Sequence, residues 1–154
     1  MTAIPLDRVG QIFSDALIEV VSTTTGLSIE VTSTEASTEL DEMTGLISLY
    51  GENHGMLFIS AKESVVRVLC AYMTGVIADD VTGEDAEDAL CEIVNMTAGN
   101  AKLRFNNTGQ VFMISPPFVF RGSDAALISK KRVNIISGLL GNEEISIKVK
   151  VVFY

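Results

Sequence analysis

Apolar positions along the chain repeat with two periods, and the changes between them mark out the elements. Val9, Ile12, Phe13, Ala16, Leu17, Val20 and Val21 recur at helical spacing, which predicts a helix over about residues 5–24 that Gly26 ends. Leu27–Val31 reads as a strand, and the Ser-, Thr- and Glu-rich stretch Thr32–Glu42 is too polar for core and reads as a strand or loop. Leu46–Tyr50 and Met56–Ser60 flank the turn Gly51–Gly55, a hairpin signal. A second helix is predicted over residues 62–74, stopped by Gly75. A third opens at Thr82 and runs to about Phe105, with Thr82 placed to cap a free N–H and Asp85 to reach back. Val111–Ser115 reads as a strand broken by Pro116–Pro117. Two more strands follow, over about 126–138 and 144–153. In the last, Ile145, Ile147, Val149, Val151 and Phe153 share one face while Ser146, Lys148 and Lys150 share the other, the alternation of a sheet with one covered face.

This order is not a strict strand–helix alternation, so it predicts an α+β architecture with helices packed on one antiparallel sheet. Two distant stretches are near copies: Ser14–Ser22, SDALIEVVS, and Glu87–Asn95, EDALCEIVN. Each continues through a Thr to a Gly, at Gly26 and Gly99. A duplicated helix at the start of each half predicts a pseudo-two-fold fold within a single domain spanning 1–154. Only the second copy ends in Asn; the first keeps Asp15 and Glu19 but has Ser22, which predicts one working site and one degenerate one.

Composition narrows the function. The net charge of −9 argues against nucleic acid, since phosphates call for Lys and Arg. No apolar run approaches the ~20 residues of a membrane span, and Met1–Arg8 lacks the pattern of a signal peptide, so a cytoplasmic location is expected. Cys70 and Cys91 are read as free thiols. His54, the only histidine, falls in a turn, which leaves a histidine-based triad improbable and no metal site of the chain's own. The sequons at Asn95 and Asn106 have no secretory route to give them meaning.

The remaining chemistry lies on the third helix. At ~100° per residue, Ala86, Leu90, Ile93, Val94, Thr97 and Ala101 gather on a core stripe, and Asp88, Glu92, Asn95, Gly99 and Lys102 on the opposite one. Glu92 and Asn95, three apart, are neighbours on the helix surface. Gly99 costs about 1 kcal/mol relative to Ala at a position that no core packing requires to be small. An Asn is neither a base nor a useful nucleophile near neutral pH. Its amide donates and accepts hydrogen bonds, which suits it to orienting water against an electrophile, as a glutamine does in GTPases. A helix so equipped would complete an active site on another protein.

Asp88-x-x-x-Glu92-x-x-Asn95 with Pro117 beyond it resembles the signature of the CheC/CheX/FliY phosphatases of bacterial chemotaxis. The run Glu92–Lys102, EIVNMTAGNAK, and then Ile114–Pro117, is most similar to the CheX members. The resemblance implies a two-component hydrolase acting on the phosphoaspartate of a CheY-like response regulator. In that reading Glu92 contacts the regulator's lysine, Asn95 positions the attacking water, and Asp88, Gly99 and Lys102 support docking. The regulator, not this chain, would hold Mg²⁺. It implies also a homodimer joined through the sheets, the long C-terminal strand offering an edge. A non-catalytic binding module for a receiver domain or a flagellar-switch component is the alternative; turnover at substoichiometric amounts separates the two.

Overall fold

A computed structural model describes residues 4–52 and 54–154. The readings of Met1–Arg8 and of the 51–55 turn fall in part on Met1–Ala3 and Asn53, outside the described residues. Three α-helices cover one face of a seven-stranded antiparallel sheet. In chain order they are α1 (Leu6–Thr25), β1 (Glu30–Ser33), β2 (Met43–Gly51), β3 (Gly55–Ala61), α2 (Glu63–Thr74), α3 (Gly83–Asn106), β4 (Phe112–Ile114), β5 (Phe118–Arg121), β6 (Asn134–Gly141) and β7 (Ser146–Phe153). Gly26 and Gly75 end α1 and α2 at φ 78° and 76°, left-handed conformations that glycine adopts without steric cost.

The strand order is β1-β6-β7-β3-β2-β4, with β5 also paired to β2. Exchanging β1 with β4/β5, β2 with β6 and β3 with β7 maps this order onto its own reverse. The pseudo-two-fold axis therefore passes between β7 and β3. Each half is a helix, an outer strand and a hairpin, and α2 has no counterpart. The halves interlock: β1 pairs with β6 of the second half, while β4 and β5 pair with β2 of the first. Likewise α1 lies on β6 and β7, and α3 on β2 and β3. Neither half can bury its apolar face alone, so the domain is one cooperative unit.

Two layers of core follow. The larger lies between helices and sheet and includes Phe13, Leu17, Ile47, Leu57, Leu90, Ile93, Ile147 and Val149. A smaller one lies on the far face, where Phe58 and Val152 are covered by the segments 34–42 and 122–133 through residues such as Leu40, Leu127 and Val133. Lys150 points into this far face at 2% exposure and donates from Nζ to the Ser37 carbonyl at 2.6 Å. The Ser137 hydroxyl donates to the same oxygen at 2.8 Å. Lys148 pairs with Asp41 at 3.2 Å, so both lysines fasten the 34–42 strap to β7.

The structure corrects three expectations. The strand expected over 126–138 begins only at Asn134, because Ala125, Leu127 and Val133 serve as cover for the far face and make only an isolated bridge, Ala126 to Glu39. The first strand begins at Glu30 and not Leu27. The C-terminal strand offers no edge, since β7 is paired on both sides, by β6 and β3. β5 was not anticipated: Pro116 and Pro117 end β4, but the chain resumes pairing with the same partner, β2.

Candidate functional site

The orientation of α3 is set at its start, along its buried side and at its end. Thr82 Oγ1 accepts from the Asp85 N–H at 3.0 Å while Asp85 Oδ2 accepts from the Thr82 N–H at 3.1 Å, a complete capping box. Arg121 of β5 donates to Glu87 of α3 at 2.7 Å, to Glu63 of α2 at 3.0 Å and to the Gly83 carbonyl at 3.1 Å. Along the middle, Gly45 of β2 lets the helix approach: a Cβ there would stand 3.2 Å from two side-chain atoms of Val94. Near the end, the Phe105 ring lies 5.6 Å from that of Phe13 and 5.4 Å from that of Phe112, tying α3 to α1 and β4.

With α3 so held, the expected core stripe is wholly buried, and Ala89, Ala98 and Phe105 join it. The opposite stripe follows by geometry. Asp88, Glu92 and Asn95 are exposed; Gly99 and Lys102 are half-buried. Among the described residues, the side chains of Asp88, Glu92, Asn95 and Lys102 make no hydrogen bond or ion pair within the chain. A Cβ added to Gly99 would meet nothing within 4 Å, so nothing inside the domain requires glycine there. Asp88 and Glu92 also wall a groove of about 360 Å³ between α2 and α3, whose apolar side includes Met73, Val76 and Ala89.

The first copy of the motif is placed differently. Glu19 is exposed on α1, yet its carboxylate accepts from Asn100 Nδ2 at 2.9 Å and from Arg104 Nη2 at 2.6 Å, while Arg104 Nε donates to Asn100 Oδ1 at 2.7 Å. The Asn100 hydrogen bond, and then Arg104, hold this carboxyl below its usual range. Ser22 is exposed and Asp15 half-buried. The asymmetry has a simple origin in how far each helix runs past the motif: α3 continues to Asn106, beyond Asn95 by about three turns, whereas α1 ends at Thr25, within a turn of Ser22. The added turns of α3 carry Asn100 and Arg104 over Glu19, whereas α1 stops at Gly26 before anything on it could cover Glu92. Sequence reasoning missed Asn100, Arg104 and Arg121; the available signal was the Asn100/Arg104 i,i+4 pair lying beyond the point where the first copy ends.

Other chemistries find little support in the geometry. Burial, and then Asp88 and Glu87, push the Cys91 thiol up; burial and Asp85 do the same for Cys70, so neither is a ready thiolate. Among the described residues no group of three or more His, Cys, Asp or Glu converges to hold a metal ion. Among them also, no helix is long and apolar enough to cross a membrane.

Comparison with known proteins agrees with this arrangement. Residues 43–140 match the family described as chemotaxis phosphatase CheX. No curated protein sequence matches the chain significantly. Among solved structures, the chemotaxis protein CheX of Vibrio vulnificus superposes with a TM-score of 0.83 at 21% identity, covering 96% of this chain and 99% of that one. CheX of Desulfovibrio desulfuricans gives 0.83 at 18% identity, with 96% and 99% covered. A chain of the CheX–CheY–BeF3–Mg²⁺ complex of Borrelia burgdorferi gives 0.77 at 20% identity, with 93% and 96% covered. The matched segment takes in all of α2 and α3 and most of the sheet, and with it the Asp88–Glu92–Asn95 face: the chain belongs to the chemotaxis phosphatase CheX family.

Proposed function

We propose that this protein hydrolyses the aspartyl phosphate of a CheY-like receiver domain, with Asn95 orienting the attacking water and Glu92 pairing with a lysine of the receiver. The observation that carries the reading is the contrast between twins. Glu92 and Asn95 stand exposed and unengaged on α3, whereas Glu19, their counterpart's acid, is taken up by Asn100 and Arg104. Family membership and the CheX–CheY complex of the Borrelia burgdorferi relative support a receiver as the partner.

In the reaction, water attacks phosphorus as the P–O bond to the receiver's aspartate breaks, which restores the carboxylate and releases inorganic phosphate. An amide is not a base, so the proton passes to a phosphate oxygen or to solvent. Asn95 contributes by accepting a hydrogen bond from the water and holding it in line, which removes orientational freedom before the barrier. The Mg²⁺ belongs to the receiver, and Asp88, Gly99 and Lys102 line the approach. Such a partner places the protein in the cytoplasm.

The homodimer belongs to the same reading. Phe118 sits opposite Leu46, Phe120 opposite Thr44 and Met113 opposite Tyr50, all on the sheet face away from α3. Phe118 and Met113 are largely exposed, and an uncharged apolar patch on a chain of net charge −9 suits a second copy. The proline break between β4 and β5 disfavours pairing at that edge, and the apolar patch favours a face-to-face contact instead. Both α3 faces then remain outward. The test is the decay of a phosphorylated receiver with this protein at substoichiometric amounts: accelerated turnover supports the reading, and binding with unchanged decay rejects the enzyme in favour of a docking module.

A further inference from the structure

We propose that Ile77 and Leu103 are apolar anchors that seat the receiver domain around the Asp88–Glu92–Asn95 stripe, an inference that rests on the receiver-phosphatase reading. Ile77, between α2 and α3, is 70% exposed and Leu103, on α3, 67%, both large aliphatic side chains left in water. Leu103 lies eleven residues beyond Glu92, which at ~100° per residue is about 20° from the same direction on α3. It therefore crowns the face that carries the candidate site, ~12 Å along the axis past Asn95.

Ile77 lies in the connection between α2 and α3. It follows Val76, which lines the groove of about 360 Å³ between α2 and α3, and Asp88 and Glu92 are on the opposite wall of that groove. The groove thus joins an apolar side to two carboxylates that no cation within the described chain neutralises. The complementary occupant carries positive charge beside apolar surface, as a receiver with a lysine next to its acyl phosphate does. Exposed ion pairs contribute little in water and are screened by salt, so Glu92 alone cannot hold a transient partner in register. Apolar anchors beside a polar centre supply the missing affinity and help to fix the angle at which the Asn95 amide enters.

The experiment compares the full chain with Ile77→Ser, Leu103→Ser and the double variant. Two things are read: steady-state dephosphorylation of a receiver domain, and calorimetric binding of the BeF3-loaded receiver. Each single variant is expected to raise KM and weaken binding by about 10-fold, with kcat changing far less. Ile77→Val and Leu103→Met should restore most of the loss, and unchanged melting curves exclude misfolding. Active wild-type protein with the same KM and affinity in the double variant overturns the anchors while sparing the enzyme. If the wild type binds a receiver without hastening its decay, the catalytic reading falls and the binding comparison still decides the anchors. Absence of binding by the wild type overturns both.

Discussion

Arg104 of α3 reaches Glu19 of α1 at 2.6 Å, and this ion pair separates the two copies of the repeated motif. The acid that would dock a partner in the first half instead braces the second. Asn100 donates to the same oxygen, Oε2, at 2.9 Å, so one side of the Glu19 carboxylate is committed inside the chain. Duplication therefore yields one helix that presents its acid and one that supports the presenter.

That bracing has a pH signature. The Glu19 carboxyl is held below the ordinary 4.5, through Asn100 first and Arg104 second. A carboxylate with a depressed folded-state pKa adds stability above its unfolded value and loses it as pH falls through the folded one. Glu19→Gln should accordingly be less stable than wild type near neutral pH, with the gap closing in acid. Urea midpoints taken from neutral pH down to about 3 check this. A gap that persists unchanged in acid would assign the effect to packing. Ser22→Asn, placed beside an acid already engaged, should add no second active site.

Asn95→Ala should lower receiver dephosphorylation about 100-fold or more, the order seen when a single preorganised hydrogen bond of the transition state is removed. Its circular dichroism and melting should match wild type, because the side chain is exposed and makes no bond within the described chain. Glu92→Gln should act chiefly on KM, and its effect should shrink as salt is raised, since an exposed charge contact is screened. Retained activity in Asn95→Ala would remove the mechanism.

Much of this site was legible in the sequence because it depends on local rules. The capping box needs only Thr82 and Asp85, and the exposed stripe needs only the helical period. What stayed hidden is non-local. Arg121 meets Glu63 and Glu87 across separations of 58 and 34 residues, and Arg104 meets Glu19 across 85. β5 was hidden by its own prolines, which end a strand in any local reading although β2 has an open side where pairing resumes. Leu127 and Val133 were misread as strand because a loop lying across apolar surface needs apolar contacts much as a strand does.

Gly99→Ala separates stability from function. Open space surrounds the position, so a methyl group should strengthen the helix by about 1 kcal/mol, raising Tm by roughly 2–4 °C for a domain of this size. If the glycine serves the approach of a partner, the same change should slow dephosphorylation. A variant that is more stable and fully active would show that nothing comes close to that face.

Phe118→Ser with Phe120→Ser should convert a dimer into monomers while leaving the α3 stripe intact. Sedimentation velocity over a range of concentrations reads the change, and turnover per chain should be retained because the patch and the stripe lie on opposite faces of the sheet. An unchanged sedimentation coefficient would overturn a dimer formed through this patch.

Lys150 offers a test of the far-face core. Burial, and then the neighbouring Lys148, pull its pKa below the ordinary 10.5. A lysine whose folded-state pKa is depressed is penalised while it must be charged, so its contribution improves as pH rises from the folded value towards 10.5. Lys150→Met keeps the stem, removes the buried charge and leaves the Ser37 carbonyl its bond from the Ser137 hydroxyl. The variant should be neutral to about 1–2 kcal/mol more stable near neutral pH, with the advantage shrinking by pH 10. Denaturant midpoints at the two pH values decide it. A wild type that is clearly more stable at neutral pH would mean that the 2.6 Å bond to Ser37 outweighs the cost of burying the ammonium group.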